Sequence, residues 1–265
     1  MLRATPIDDA AAHAEATLGL ATALHYASPT SPGRLDEAKA LYVRVMENEQ
    51  ASMALRARAM LALGRLAELR DFTGDVTDFG AANAWYGRVI QEAEDLDAAD
   101  EAMLWRTNLI FQQQVTGPEL LVALESLEAW TDQRSEDRPL RAVLYEYVGI
   151  AAMQSELPDM ALRNLRAADA LGFADESFTP RGWWLIARLA KRTGDLPLAV
   201  AMYQRIIREA PRTGRSYEAQ LQLHALRTEL NDPTIEVPAL RSPHTPDDPL
   251  AIPASPAPLE GDGDA

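Results

Sequence analysis

Along the first 230 positions, amphipathic stretches alternate with short clusters of turn-forming residues. The breaks fall at Ser28-Pro-Thr-Ser-Pro-Gly33, Asp71-Phe-Thr-Gly74, Thr116-Gly-Pro118, Glu156-Leu-Pro158 and Thr193-Gly-Asp195. Gly, Pro, Asp, Ser and Thr end helices or shape turns, so these clusters divide the chain into helical hairpins. Between them Ala, Leu, Arg and Glu dominate, all good helix formers, and β-branched residues are scattered rather than alternating. The pattern predicts an all-α domain over residues 1–230. Its later helices run over roughly 100–114, 118–130 and 216–230. From Asn231 the texture changes: eight prolines, from Pro233 to Pro258, fall among Asp, Ser, Thr and Ala, and the chain closes on Glu260-Gly-Asp-Gly-Asp-Ala265. Such a segment predicts a disordered, Pro-rich acidic tail over 231–265.

The hairpins repeat. One copy sets out Trp183, Ile186-Ala187, Ala190, Ala199, Tyr203 and Pro211. The copy before it places Tyr145, Val148-Gly149, Ala152, Ala161 and Leu165 at the same internal spacings, beginning 38 residues earlier. Looser copies pair Leu18-Gly19 with Ala38 and Tyr42, and Leu63-Gly64 with Ala82 and Tyr86. A degenerate middle copy is keyed by Ala123 and Leu127. These spacings resemble the tetratricopeptide pattern of Trp-x2-Leu-Gly-x2-Tyr, Ala-x3-Phe and a closing Pro. The resemblance implies a superhelical stack, or solenoid, of about five antiparallel hairpins with the last helix as a cap. Small-next-to-large packing explains the spacings: Gly or Ala lets two backbones approach while a large neighbour fills the space beside them. Gly19, Gly64 and Gly149 are therefore expected at helix crossings, since glycine inside a helix costs ~1 kcal/mol relative to alanine.

The resemblance further implies that the first helix of each hairpin lines a concave groove that binds a peptide or protein. The residues facing it would be Arg58 and Arg65 in the second hairpin, Trp105, Asn108 and Gln112 in the third, and Glu146 and Met153 in the fourth. Arg181, Trp184, Arg188, Lys191 and Arg192 would face it from the fifth. Four cations on one helix depart from the chain's average and create a local positive potential suited to an acidic or carboxylate-bearing partner. The alternative is that these arginines are ordinary solvated residues, some paired with acids such as Asp195. Trp184 projects ~100° around the helix from Trp183. It is either an exposed anchor or packed on a neighbouring hairpin.

Composition narrows the functional classes. A hydrophobic content of 47% over 265 residues is enough for a sizeable core. The net charge of -15 argues against nucleic-acid binding, which needs clustered positive charge. Positive charge comes almost wholly from arginine, with Lys39 and Lys191 the only lysines, as in GC-rich bacterial genes. Without cysteine there is no disulfide framework and no thiolate nucleophile. The first fourteen residues lack a signal-peptide apolar run, and no stretch is long enough to insert in a bilayer. A cytoplasmic setting is the default, and a periplasmic one stays open if an export signal or anchor preceded this chain.

No catalytic, cofactor-binding or metal site is expected. His13, His25, His224 and His244 have no shared-ligand spacing, and they read as ordinary helix or tail residues. No nucleophile elbow or phosphate loop is present. The acidic run Glu92-Ala-Glu94-Asp95-Leu-Asp97, with Asp100-Glu101, reads as a solvated turn capping the next helix. The expected role is an interaction adaptor or scaffold, with a permanent structural subunit of a larger assembly as the alternative.

Overall fold

In a computed structural model, residues 10–27, 32–68, 77–113, 115–135 and 138–240 are described. Among them the chain forms eleven α-helices and no strand. They are α1 (Ala10–Ala27), α2 (Pro32–Glu47), α3 (Met53–Glu68), α4 (Phe79–Glu92), α5 (Asp97–Gln112), α6 (Pro118–Asp132), α7 (Arg141–Gln154), α8 (Pro158–Leu171), α9 (Thr179–Thr193), α10 (Leu196–Glu209) and α11 (Gly214–Glu229). The break at 71–74 and most of that at 28–33 lie outside the described residues.

Local chemistry sets the ends. Proline opens α6, α8, α9 and α10, where its missing N–H is not needed and its fixed φ suits the first turn. The Asp78 and Asp195 carboxylates cap α4 and α10, accepting from Ala81 N at 2.8 Å and Leu198 N at 3.1 Å. Gly194 closes α9 at φ 87°, a conformation that side-chain-bearing residues rarely adopt.

The chain divides into two compact units, residues 1–172 and 173–265. In the first, four hairpins follow one another, α1/α2, α3/α4, α5/α6 and α7/α8, and each helix packs on the next. The odd-numbered helices also pack on one another in sequence, α1 on α3, α3 on α5 and α5 on α7. Neighbouring even-numbered helices meet mainly through side chains, as where Arg163 of α8 grips Glu128 of α6 at 2.7 and 2.8 Å. The odd helices therefore form the tighter layer of unit 1. In the second unit, α9 and α10 form the fifth hairpin, and α11 packs on both as the cap.

Within the hairpins the repeat positions do the packing expected of them. Ala38, Tyr42, Ala82, Tyr86, Ala161, Leu165, Ala199 and Tyr203 are all buried. A Cβ added at Gly64 would lie 2.5 Å from the Tyr86 ring, and one at Gly149 would lie 2.7 Å from Leu165 Cγ. Both glycines hold close crossings. Gly19 does not: a Cβ there meets nothing within 4 Å, because this side of α1 faces open space rather than α2. The α5/α6 pair, the degenerate copy, packs least extensively of the hairpins, and a cavity of ≈ 240 Å³ is lined by Met103, Thr107, Ile110 and Ala123.

The expected start of disorder at residue 231 is also corrected. Residues 231–240 run in ordered, non-helical conformation along α10 and α11, with Ile235 only 8% exposed. Proline stops the helix without preventing the chain from docking as an extended strap. Residues 241–265, including His244, lie outside the described residues.

Candidate interaction site

The tighter layer of unit 1 bounds an open cavity of ≈ 510 Å³. The first helix contributes Glu15, Leu18, Gly19, Thr22 and Tyr26, with Tyr42 beneath them from α2. Opposite lie Leu55, Arg58, Leu61, Ala62 and Arg65 of α3, with Glu101 and Trp105 of α5. Three residues expected in the groove, Arg58, Arg65 and Trp105, thus meet at one place. Arg58 and Arg65 stand seven residues apart on α3, which returns them to one face.

Their roles differ. The Arg65 guanidinium carbon sits over the Trp105 ring, 3.6 Å from its centroid, and the group donates to Glu68 Oε2 at 3.1 Å. Trp105 Nε1 donates to Glu101 Oε1 at 3.2 Å. Glu68 also accepts from Tyr86 of α4 and, at 3.2 Å, from Gln112 Nε2 of α5. This carboxylate gathers three helices, a role that its place at the end of α3 did not signal. Burial and the neighbouring Glu68 push the Tyr86 hydroxyl well above its ordinary pKa, so it stays a donor. Arg65 and Trp105 are held from two sides and form a preset wall. Arg58 is exposed and makes no hydrogen bond or ion pair among the described residues.

At the α1 end, Tyr26 is 70% exposed, while His25 is buried and its Nδ1 lies 3.2 Å from Tyr42 Oη. Burial and then the Arg65 cation hold the His25 pKa below 6.5, so the ring is neutral at physiological pH. Its ordinary reading as a helix-end residue becomes a packed one.

The other groove candidates are dispersed. Asn108 is half-buried and accepts from Tyr147 Oη at 3.2 Å, and Gln112 is committed to Glu68, so both brace helices. In unit 2, Arg181, Arg188 and Arg192 are exposed on one side of α9; Arg181 lies 5.7 Å from the Phe178 ring centroid. Lys191 pairs with Glu229 of α11 at 3.7 Å. Trp184 is withdrawn as a surface contact. It is 8% exposed and edge-on to Tyr203 at 5.4 Å, because α9 is covered by both α10 and α11.

The acidic run holds a second surprise. Asp100, expected in a solvated turn, is 1% exposed. Its Oδ1 accepts from Trp130 Nε1 at 2.9 Å, and its Oδ2 lies 3.2 Å from Arg138 Nε. Arg134 stacks on Trp130 at 3.7 Å and donates to the Glu94 carbonyl at 3.0 Å, while Arg138 donates to the Asp95 carbonyl at 2.8 Å. The connector after α6 is thereby locked onto the connector before α5. Desolvation raises the Asp100 pKa, opposed by Trp130 and the two arginines.

Among the described residues no group of three His, Cys, Asp or Glu side chains could hold a metal ion, and no described helix is long and apolar enough to cross a membrane. No protein-family model matches the chain, and no curated protein matches it in sequence. Among solved structures, the crystal structure of BtubC (BKLC) from P. vanneervenii is similar with a TM-score of 0.46 and 16% identity, over 90% of this chain and 96% of that one.

Proposed function

We propose that the protein is an interaction adaptor built from hairpins that resemble tetratricopeptide repeats, and that the cavity along α1, α3 and α5 receives a peptide carrying a carboxylate. One observation carries the reading: an exposed, uncommitted guanidinium, Arg58, stands at the rim of a ≈ 510 Å³ cavity whose Arg65–Trp105 wall is already fixed. A preset wall lowers the ordering cost of binding, and an open arginine offers a fork to a carboxylate. Leu18, Leu55 and Leu61 supply apolar surface beside it.

The test is a library of short peptides with free C-termini, ranked against the whole chain by fluorescence anisotropy. Arg58→Glu should weaken the best binders about tenfold or more, the value of one charge-assisted contact of ~1.5 to 3 kcal/mol, with helicity unchanged. Affinity should also fall as salt rises. Salt-independent binding that survives Arg58→Glu would defeat the reading.

A permanent subunit of a larger assembly draws support from α11, where Tyr217 and Leu221 are 58% and 50% exposed one turn apart. Sedimentation of the isolated chain and of Leu221→Glu separates the two, since a structural subunit would associate through this face.

A further inference from the structure

The strap over residues 231–240 is held as a bound peptide would be. Asn231 leaves α11 at φ 49°, with its N–H on the Thr228 carbonyl, and Asp232 Oδ1 accepts from Thr234 N at 2.9 Å and from Thr234 Oγ1 at 2.6 Å. This turn sends the chain back along the helices in extended form. Gln204 Nε2 of α10 then donates to the Glu236 carbonyl at 2.9 Å, and Gln220 Nε2 of α11 donates to the Pro238 carbonyl at 3.2 Å. Arg208 pairs with the Glu236 carboxylate at 2.7 Å, and Ile235 is buried.

Two of these contacts read backbone carbonyls two residues apart, and they would accept any extended segment. A third reads an acid, and the face that buries Ile235 takes an aliphatic side chain next to that acid. The Pro at 238 lends an extended backbone at low ordering cost. Amide readers for the backbone, with one pocket and one charge for the side chains, are the division of labour by which extended peptides are recognised.

We propose that the α10–α11 face is an extended-peptide docking site, separate from the cavity of unit 1, and that the chain's own Ile235-Glu-Val-Pro238 occupies it. The partner it fits is an extended segment with an aliphatic residue followed by an acid and, two places on, a proline. Such a segment from another protein binds by displacing the strap. The strap sets the threshold for capture, because its tether holds it near its site at an effective concentration of order millimolar.

The test uses a fluorescein-labelled synthetic peptide with the sequence of residues 231–240, titrated into the full chain and followed by anisotropy. The wild type should bind weakly, because its own strap competes. Loosening that strap with Ile235→Asp and Glu236→Ala should tighten binding of the added peptide roughly tenfold, the factor by which a tethered competitor at millimolar effective concentration suppresses a binder of ~0.1 mM affinity. Adding Arg208→Glu should abolish the gain. Circular dichroism reports whether the loosened chain stays helical. If it does not, Glu236→Ala alone, which removes one exposed pair, is titrated in its place, and binding tighter than wild type is still required. Equal affinities for wild-type and loosened chains, or binding indifferent to Arg208→Glu, would show the strap to be mere packing.

Discussion

The same substitution at two glycines should move stability in opposite directions. At Gly149, in the middle of α7, an alanine methyl would lie 2.7 Å from Leu165 Cγ, 2.9 Å from its Cδ2 and 3.2 Å from its backbone nitrogen. The first atom is the branch point of a fully buried side chain and the third is main chain, so neither can swing aside. The methyl is accommodated by moving α7 away from α8, and overpacking of this kind costs ~1 to 3 kcal/mol. Against that stands a helix-propensity gain of ~1 kcal/mol for alanine over glycine. Gly149→Ala should therefore lose up to ~2 kcal/mol. At Gly19, within α1, the methyl meets nothing within 4 Å and only the gain remains. Gly19→Ala should be more stable by ~0.5 to 1 kcal/mol. Urea unfolding followed by far-UV circular dichroism reads both, and thermal melts should separate the variants by several degrees at ~2 to 4 °C per kcal/mol. A Gly149→Ala midpoint at or above wild type, or equal shifts at the two positions, would refute the crossing geometry.

Trp184→Ala should cost ~3 to 5 kcal/mol, as for a buried aromatic, and lower the melting temperature of the helices; an unchanged melt would return Trp184 to the surface. Deleting residues 231–265 should destabilise the chain by about 2 kcal/mol, chiefly through the lost burial of Ile235, and an unaltered melting curve would show the strap to be loosely held. Glu128 is held below its ordinary value of 4.5, first by the hydrogen bonds from Arg163. A lowered folded-state pKa means that the unfolded chain binds more protons, so the stabilisation is full above pH 4.5 and disappears as pH falls through the folded-state value. Glu128→Gln should thus lose stability at neutral pH and little in strong acid, and a deficit of equal size at both would contradict the pairing.

The helices and their pairing were legible because they rest on local chemistry. Prolines at 118, 158, 180 and 197 start helices, Gly194 stops one, and small-large spacing along each hairpin names Gly64 with Tyr86 and Gly149 with Leu165. The tetratricopeptide resemblance implied one groove for Arg58, Arg65 and Trp105, and these three line the cavity. Periodicity does not tell how many sides of a helix are covered. That is why the pattern leaves Trp184, beside a packing position, open between two roles and treats Gly19 like its counterparts, although a Cβ there meets nothing within 4 Å. The burial of Asp100 is invisible for the same reason, since its partners Trp130, Arg134 and Arg138 lie thirty to thirty-eight residues away and no local pattern announces them. The strap was missed because proline content reports only that a segment is not helical. Whether Ile235 finds a cover depends on α10 and α11.

The lock between the connectors flanking α5 and α6 bears on which substitutions this chain can absorb. Directional bonds from Arg134 and Arg138 to main-chain carbonyls, backed by their ion pairs with Asp100, fix where those connectors sit. The α7/α8 hairpin has its spacing set by side-chain shape at Gly149 and Leu165. The α5/α6 hairpin, with the connector before α5 bonded directly to the connector after α6, therefore holds together without a glycine crossing of that kind, and the small-next-to-large spacing is blurred there.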